Sequence, residues 1–165
     1  RMTSDFERIG DYAINILVSA EELDQKNIHF SSEAVFELRR MIAANEEILE
    51  LTHKAFEENS LSYALSIEPL EQIIDILKES MRKNHIRRLQ KGDCTVENGI
   101  IWSELITSLE RCADHCSNVA GYIIDLSHHT MNLHASLKDM RQNSPSFKAM
   151  FKSYSDKYLS GINVC

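Results

Sequence analysis

Two ten-residue stretches carry the residues whose spacing could do chemistry. Leu109-Glu110-Arg111-Cys112-Ala113-Asp114-His115-Cys116-Ser117-Asn118 repeats Phe6-Glu7-Arg8-Ile9-Gly10-Asp11-Tyr12-Ala13-Ile14-Asn15 at a constant offset of 103 residues. Both copies hold Glu and Asp at i and i+4 and Asn at i+8, so on a helix three oxygen-bearing groups line one face. Two carboxylates one turn apart repel each other, and a metal or a basic partner is the usual means of offsetting that repulsion. Glu71-Gln72-Ile73-Ile74-Asp75 adds a further pair at the same spacing.

The elements that must position these groups are helical. Only two prolines and five glycines punctuate 165 residues, and 43% of the chain is hydrophobic, enough for one normal core. Residues from about 3 to 24 form a first helix, with Phe6, Ile9, Ala13, Ile16, Leu17 and Ala20 as its apolar stripe. Ser31 or Ser32 caps a second helix that Asn59-Ser60 closes. A third runs from about Ser62 to Lys91, kinked or restarted at Pro69, and ends at Gly92. The fourth, from about Thr95 to Ser127, carries the second repeat copy. After a connection with His128, His129 and His134, residues 135–160 read as a last amphipathic helix, interrupted at Asn143-Ser144-Pro145. Its apolar face is Phe147, Met150, Phe151, Tyr154, Tyr158 and Leu159.

The expected fold is all-α: an up-down-up antiparallel three-helix bundle over 31–128, an orphan helix in 1–30, and a helical tail in 129–165. Counting outward from the turn at Lys91-Gly92, Glu71/Asp75 and Glu110/Asp114 reach a similar height and would face each other as four carboxylates. All-oxygen donors suit hard cations, with zinc less favoured because it prefers nitrogen or sulfur. The competing reading keeps these acids on solvated faces, paired with Arg82, Arg111 or Lys78.

Other features point away from chemistry. A net charge of −7 argues against a nucleic-acid surface. The basic run Arg82-Lys83-Asn84-His85-Ile86-Arg87-Arg88 reads as a solvated helix end, or as a contact to an anionic partner. No run approaches the roughly 18 apolar residues of a membrane span. Cys112 and Cys116 fall on the apolar stripe of the fourth helix and read as buried thiols, while His115, one residue past Asp114, points away from the acid face. A di-metal enzyme would need a Glu-x-x-His ligand pair beside the acids, and none accompanies them.

The doubled motif resembles the signature of the PhoU family, and the resemblance covers residues 3 to about 127. It implies two three-helix bundles with paired Glu/Asp-x-x-x-Asp motifs binding multinuclear metal clusters. The positions that match are Glu71, Asp75, Glu110 and Asp114, with Glu7 and Asp11 as part of an incomplete first site. Asn15, Asn118, Arg8 and Arg111 are supporting candidates; iron or manganese is the expected metal, with zinc or magnesium as alternatives. The tail around Tyr154-Ser155-Asp156-Lys157-Tyr158-Leu159 is similar to the C-terminal region of type II sodium/phosphate cotransporters. That implies a non-enzymatic regulatory domain on the cytoplasmic face of the cell membrane, excised from a longer chain. Its partner would be the transporter's membrane domain, with phosphate at the metal site. The alternative is a stand-alone PhoU-type regulator of an ATP-driven phosphate transporter. A homodimer through the first helix is also expected, because its apolar stripe would otherwise face water.

Overall fold

The computed structural model describes residues 1–128 and 144–164, the side chain of His128 excepted. Among the described residues there are five helices: α1 (Met2–Gln25), α2 (Ser32–Glu57), α3 (Leu61–Lys91), α4 (Val96–His128) and α5 (Pro145–Tyr158). Among the described residues there is no strand. No helix of the described chain is long and apolar enough to cross a membrane. His129, His134 and Asn143 lie outside the described residues, as do 135–142 of the expected last helix.

Local chemistry sets the boundaries. The Ser31 hydroxyl accepts from the Ala34 amide 3.2 Å away and starts α2. Asn59 takes a positive φ of 47° after α2, and Gly92 a φ of 79° after α3, where left-handed backbone ends a helix. The Asp93 amide then reaches back to the Arg88 carbonyl at 2.9 Å. Thr95, rather than the Asp93 end of the turn, opens α4, its hydroxyl accepting from the Asn98 amide at 3.2 Å. Pro69 does not restart α3, which runs through it as a single helix with the ring buried. Only one ladder hydrogen bond is lost, and packing on both sides holds the turn.

α2, α3 and α4 form the antiparallel bundle, around a core that includes Met41, Ile48, Ile67, Leu70, Ile74, Leu77, Trp102, Ile106 and Ile124. α1, expected as an orphan of a first bundle, has a packing partner within this chain. It lies antiparallel along α4, with Cys112 Sγ 3.8 Å from the Ile9 carbonyl and Lys26 2.9 Å from Glu97. Ile9 and Ile16 pack on the core and Phe6 meets the edge of Phe56 at 5.1 Å. Leu17 of the expected stripe remains 59% exposed, so that stripe is divided between α4 and solvent. α5 crosses α3 and α2 on the face read from the sequence, burying Phe147 and Tyr158. Lys157 ties it to Glu47 at 2.8 Å, and the Tyr158 hydroxyl donates to the same carboxylate.

The basic run is not a solvated helix end throughout. Arg88 turns inward to Glu37 at 3.0 Å, both about 7% exposed, and its guanidinium lies 5.4 Å from the Trp102 ring centre. Asn84 is buried beside it and donates to the other Glu37 oxygen at 2.8 Å.

Candidate metal centre

α3 sets Glu71 and Asp75 one turn apart, and α4 does the same for Glu110 and Asp114. The antiparallel register is fixed by Lys78 beside Glu110 and by Ser117, whose hydroxyl donates to Glu68 at 2.6 Å. At that height one carboxylate oxygen from each of Glu71, Asp75 and Asp114 lies within 4.8 Å of the other two. Asp75 is exposed, and Glu71 and Asp114 are partly buried. The site therefore opens to solvent on one side.

Glu110 is placed differently. It is 7% exposed, and Lys78 Nζ lies 2.7 Å from its Oε2 as an ion pair, with Arg111 Nε at 3.9 Å. Arg111 Nη1 reaches Asp114 Oδ2 at 3.1 Å. The basic partners considered from sequence are thus present at two of the four acids, while Arg82 makes no ion pair among the described residues. They do not relieve the crowding. Although the residue as a whole is exposed, the Asp75 carboxyl is partly shielded and is pushed above the ordinary range, first by that desolvation and then by the charges of Glu110 and Asp114, against which Lys78 acts.

Three clustered carboxylates, one of them held reluctant to ionise, form a donor set that a hard divalent cation fits. A cation here would relieve the repulsion that raises Asp75 and would leave coordination positions facing solvent. Glu110 could join once Lys78 moves aside.

The other candidates are not brought to this point. Glu7, Arg8 and Asp11 stand exposed on α1 and belong to no such cluster among the described residues. Asn118 donates to Asp5 at 3.1 Å, and Asn15 lines a separate groove. Cys112 and Cys116 are buried on the apolar side of α4, and burial pushes their thiols up to about 11 and about 12. Sequence reasoning missed Asp5. It is buried against α4, with His115 Nδ1 2.8 Å from its Oδ1. Its place one residue ahead of the repeat core, opposite Ser108 in the second copy, was the available signal.

The PhoU domain family matches residues 38–123, more than half of the chain and all of the carboxylate cluster. The chain belongs to the PhoU family. A PhoU homologue from Thermotoga maritima, named a phosphate-specific transport system accessory protein, is 27% identical over 124 residues, 75% of this chain and 53% of that protein. A Deinococcus radiodurans accessory protein of the same description is 23% identical over 117 residues, 71% of this chain and 54% of that one. A second, uncharacterized Deinococcus radiodurans protein is 29% identical over 121 residues, 73% of this chain and 43% of that protein. This chain therefore spans about half the length of the relatives it matches. No solved structure matches it.

Proposed function

We propose that this PhoU-family chain regulates phosphate transport and holds a divalent cation at Glu71, Asp75 and Asp114, with Glu110 as a further ligand released by Lys78. Iron and manganese are the proposed ions, with magnesium also suited to the all-oxygen donors and zinc less so. The observation that carries the reading is the cluster of three carboxylate oxygens, together with the elevated Asp75 carboxyl that like charge and burial produce. The cation's open side would offer coordination to phosphate oxygens, so occupancy could report phosphate. The proposed role is regulatory rather than enzymatic, in keeping with the accessory proteins the chain resembles, and no histidine stands in the described cluster.

The names of the relatives favour an accessory regulator of a phosphate-specific transport system over a cotransporter-linked domain. The proposed partner is accordingly the cytoplasmic side of an ATP-driven phosphate transporter.

Two experiments test this. Elemental analysis of chain purified without a metal-affinity tag, then incubated with manganese or iron, should find about one or more ions per chain. The Asp75→Asn/Asp114→Asn variant should find none. Unchanged metal in that variant would remove the site. Affinity isolation of the full-length protein from membranes should recover an ATP-driven phosphate transporter; recovery of a sodium/phosphate carrier instead would restore the cotransporter reading.

A further inference from the structure

Residues 82–91 hold five cations and no acid, in a chain whose net charge is −7. Arg88 is taken up inside the bundle by Glu37 at 3.0 Å. Arg87 and Lys91 line a cavity beside the start of α2, with Ser32, Glu33 and Asp93. Arg82 and Lys83 are exposed and form no ion pair among the described residues. They stand four and three residues ahead of Ile86, and Leu89 follows at i+7 from Arg82, so the four share one outward side of α3. Ile86 and Leu89 are exposed too, and so are Val96 and Ile100 across the turn on α4; the four are between 37% and 69% exposed. Leu89, Val96 and Ile100 line one open groove of about 470 Å³, together with His85 and Gly99. A Cβ on Gly99 would lie 2.5 Å from His85 Nε2, so this glycine lets the two helix ends meet as one surface.

Exposed aliphatic side chains are ordinary when scattered singly. Four together beside unpaired cations are the composition of a surface that lies in a membrane interface. Charge decides what such a surface meets. Ile14, Leu17 and Val18 of α1 are also exposed, but Asp11 and Glu21 stand exposed one turn to either side, and an anionic layer repels them. At the α3–α4 turn the nearby acids are otherwise placed. Glu97 is paired with Lys26 at 2.9 Å, and Asp93 lines the cavity beside α2. Glu79 stands two turns before Ile86, and Glu104 one turn past Ile100, at the margins of the apolar group. Asp75 of the carboxylate cluster lies eleven residues before Ile86, about 16 Å of helix. That exceeds the screening length of about 8 Å at physiological salt.

We propose that this end of the bundle docks on an anionic lipid surface through Ile86, Leu89, Val96 and Ile100, with Arg82 and Lys83 beside them. The aliphatic side chains enter the headgroup boundary, and the two cations meet lipid phosphates. Arg87 and Lys91, close behind, add attraction that salt screens. No helix of the described chain is long and apolar enough to cross a membrane, so this contact is peripheral and reversible. The acids farther along the α3–α4 seam are repelled by the same layer. The bundle therefore stands on its α3–α4 turn rather than lying flat, and the carboxylate cluster stays in solvent. The contact does not depend on the metal reading.

The test is sedimentation of the 165-residue chain, in chelator, with vesicles of phosphatidylcholine alone or with about 30% phosphatidylglycerol. The chain should bind the anionic vesicles and leave the neutral ones, and about 0.5 M salt should weaken binding at least about tenfold. Arg82→Glu/Lys83→Glu should also weaken it at least about tenfold, since each surface cation contributes about fivefold. Neither side chain has an ion pair to lose among the described residues, so this variant keeps its fold. Val96→Asp/Ile100→Asp should abolish binding with the thermal melt unchanged, both positions being more than half exposed. Ile14→Asp/Leu17→Asp on α1 should bind as the unmodified chain does. Absence of binding to the anionic vesicles, or equal binding to phosphatidylcholine alone, would overturn the proposal. So would binding that persists in both the Arg82/Lys83 and the Val96/Ile100 variants. Self-association in ultracentrifugation that Val96→Asp/Ile100→Asp removes, with no vesicle binding, would assign the face to a second copy instead. Vesicle binding that needs added manganese and is lost in Asp75→Asn/Asp114→Asn would assign the contact to the carboxylates and equally overturn it.

Discussion

The bundle holds two polar clusters, built from the same residue types and finished to different degrees. Near the C-terminal end of α3, Glu37 accepts from Arg88 at 3.0 Å and from Asn84 at 2.8 Å, and Arg87 donates to the Asn84 carbonyl oxygen at 3.1 Å. The Glu37 and Arg88 charges cancel, and both side chains are buried. About three and a half turns earlier on the same helix, Glu71 and Asp75 meet Asp114 across the α3–α4 seam, with Glu110 alongside and paired to Lys78. In the first cluster the acid is matched by a cation, and in the second three carboxylates crowd one another. Acidic residues inside a helical bundle are therefore a poor indicator of a site until their partners are counted. What separates the two is like charge brought together where it keeps some contact with water.

The comparison can be broken first at its closed end. Arg88→Leu strands the buried Glu37 carboxylate and should cost about 3–5 kcal/mol in urea unfolding, because removing one member of a buried pair leaves an uncompensated charge. A loss below about 1 kcal/mol would mean that the closed cluster is as solvated as the open one. At the open end Lys78→Met should cost less, about 1–3 kcal/mol in the metal-free chain, since it leaves Glu110 buried without its cation. Saturating manganese should recover that loss if Glu110 then turns to the metal. Calorimetric melting with and without the ion checks both arms.

A pH series sharpens the contrast further. Asp75 is raised in the folded chain, so the fold takes up this proton before the unfolded chain does. Its contribution to stability is fully present below the ordinary carboxylate value near 4 and is lost as pH rises through the elevated one. The difference in stability between the metal-free chain and Asp75→Asn should therefore change over that window and be flat above it. Parallel profiles from pH 4 to 8 would contradict the repulsion. The smallest expected effect is chemical: iodoacetamide at pH 8 should label Cys94 and spare Cys112 and Cys116, whose thiols are held up at about 11 and about 12 by burial. Mass spectrometry of the native chain would read this directly.

Much of this was legible in the sequence, where local chemistry and periodicity suffice. Ser31, Asn59 and Gly92 mark helix ends through their own side chains or backbone freedom, and the face of α5 follows from the spacing of Phe147, Phe151, Tyr154 and Tyr158. The meeting of Glu71, Asp75 and Asp114 could be read because a short turn between two long helices fixes their relative height. The parts that were not legible depend on contacts distant in the chain. Arg88 sits in a basic run that periodicity assigns to solvent, and only its packing on Trp102 and Glu37 turns it inward. α1 looked unpartnered because nothing in its own stripe says that α4 presents a matching one. Lys78 was one of three cations named for the acids, and only the register of α3 against α4 selects it for Glu110.

The contact between Ile9 and Cys112 has a historical consequence. Equivalent residues meeting across an axis are what the isologous interface of a symmetric two-chain assembly presents. A gene encoding one copy would make protomers that associate through this helix, and joining two such copies end to end would turn the association into an internal fold contact. Once the halves share a chain they are released from identity: one keeps an aspartate that closes its end of the seam, and the other drifts to a serine. Fusion, on this view, is what gave a symmetric seam two unlike ends.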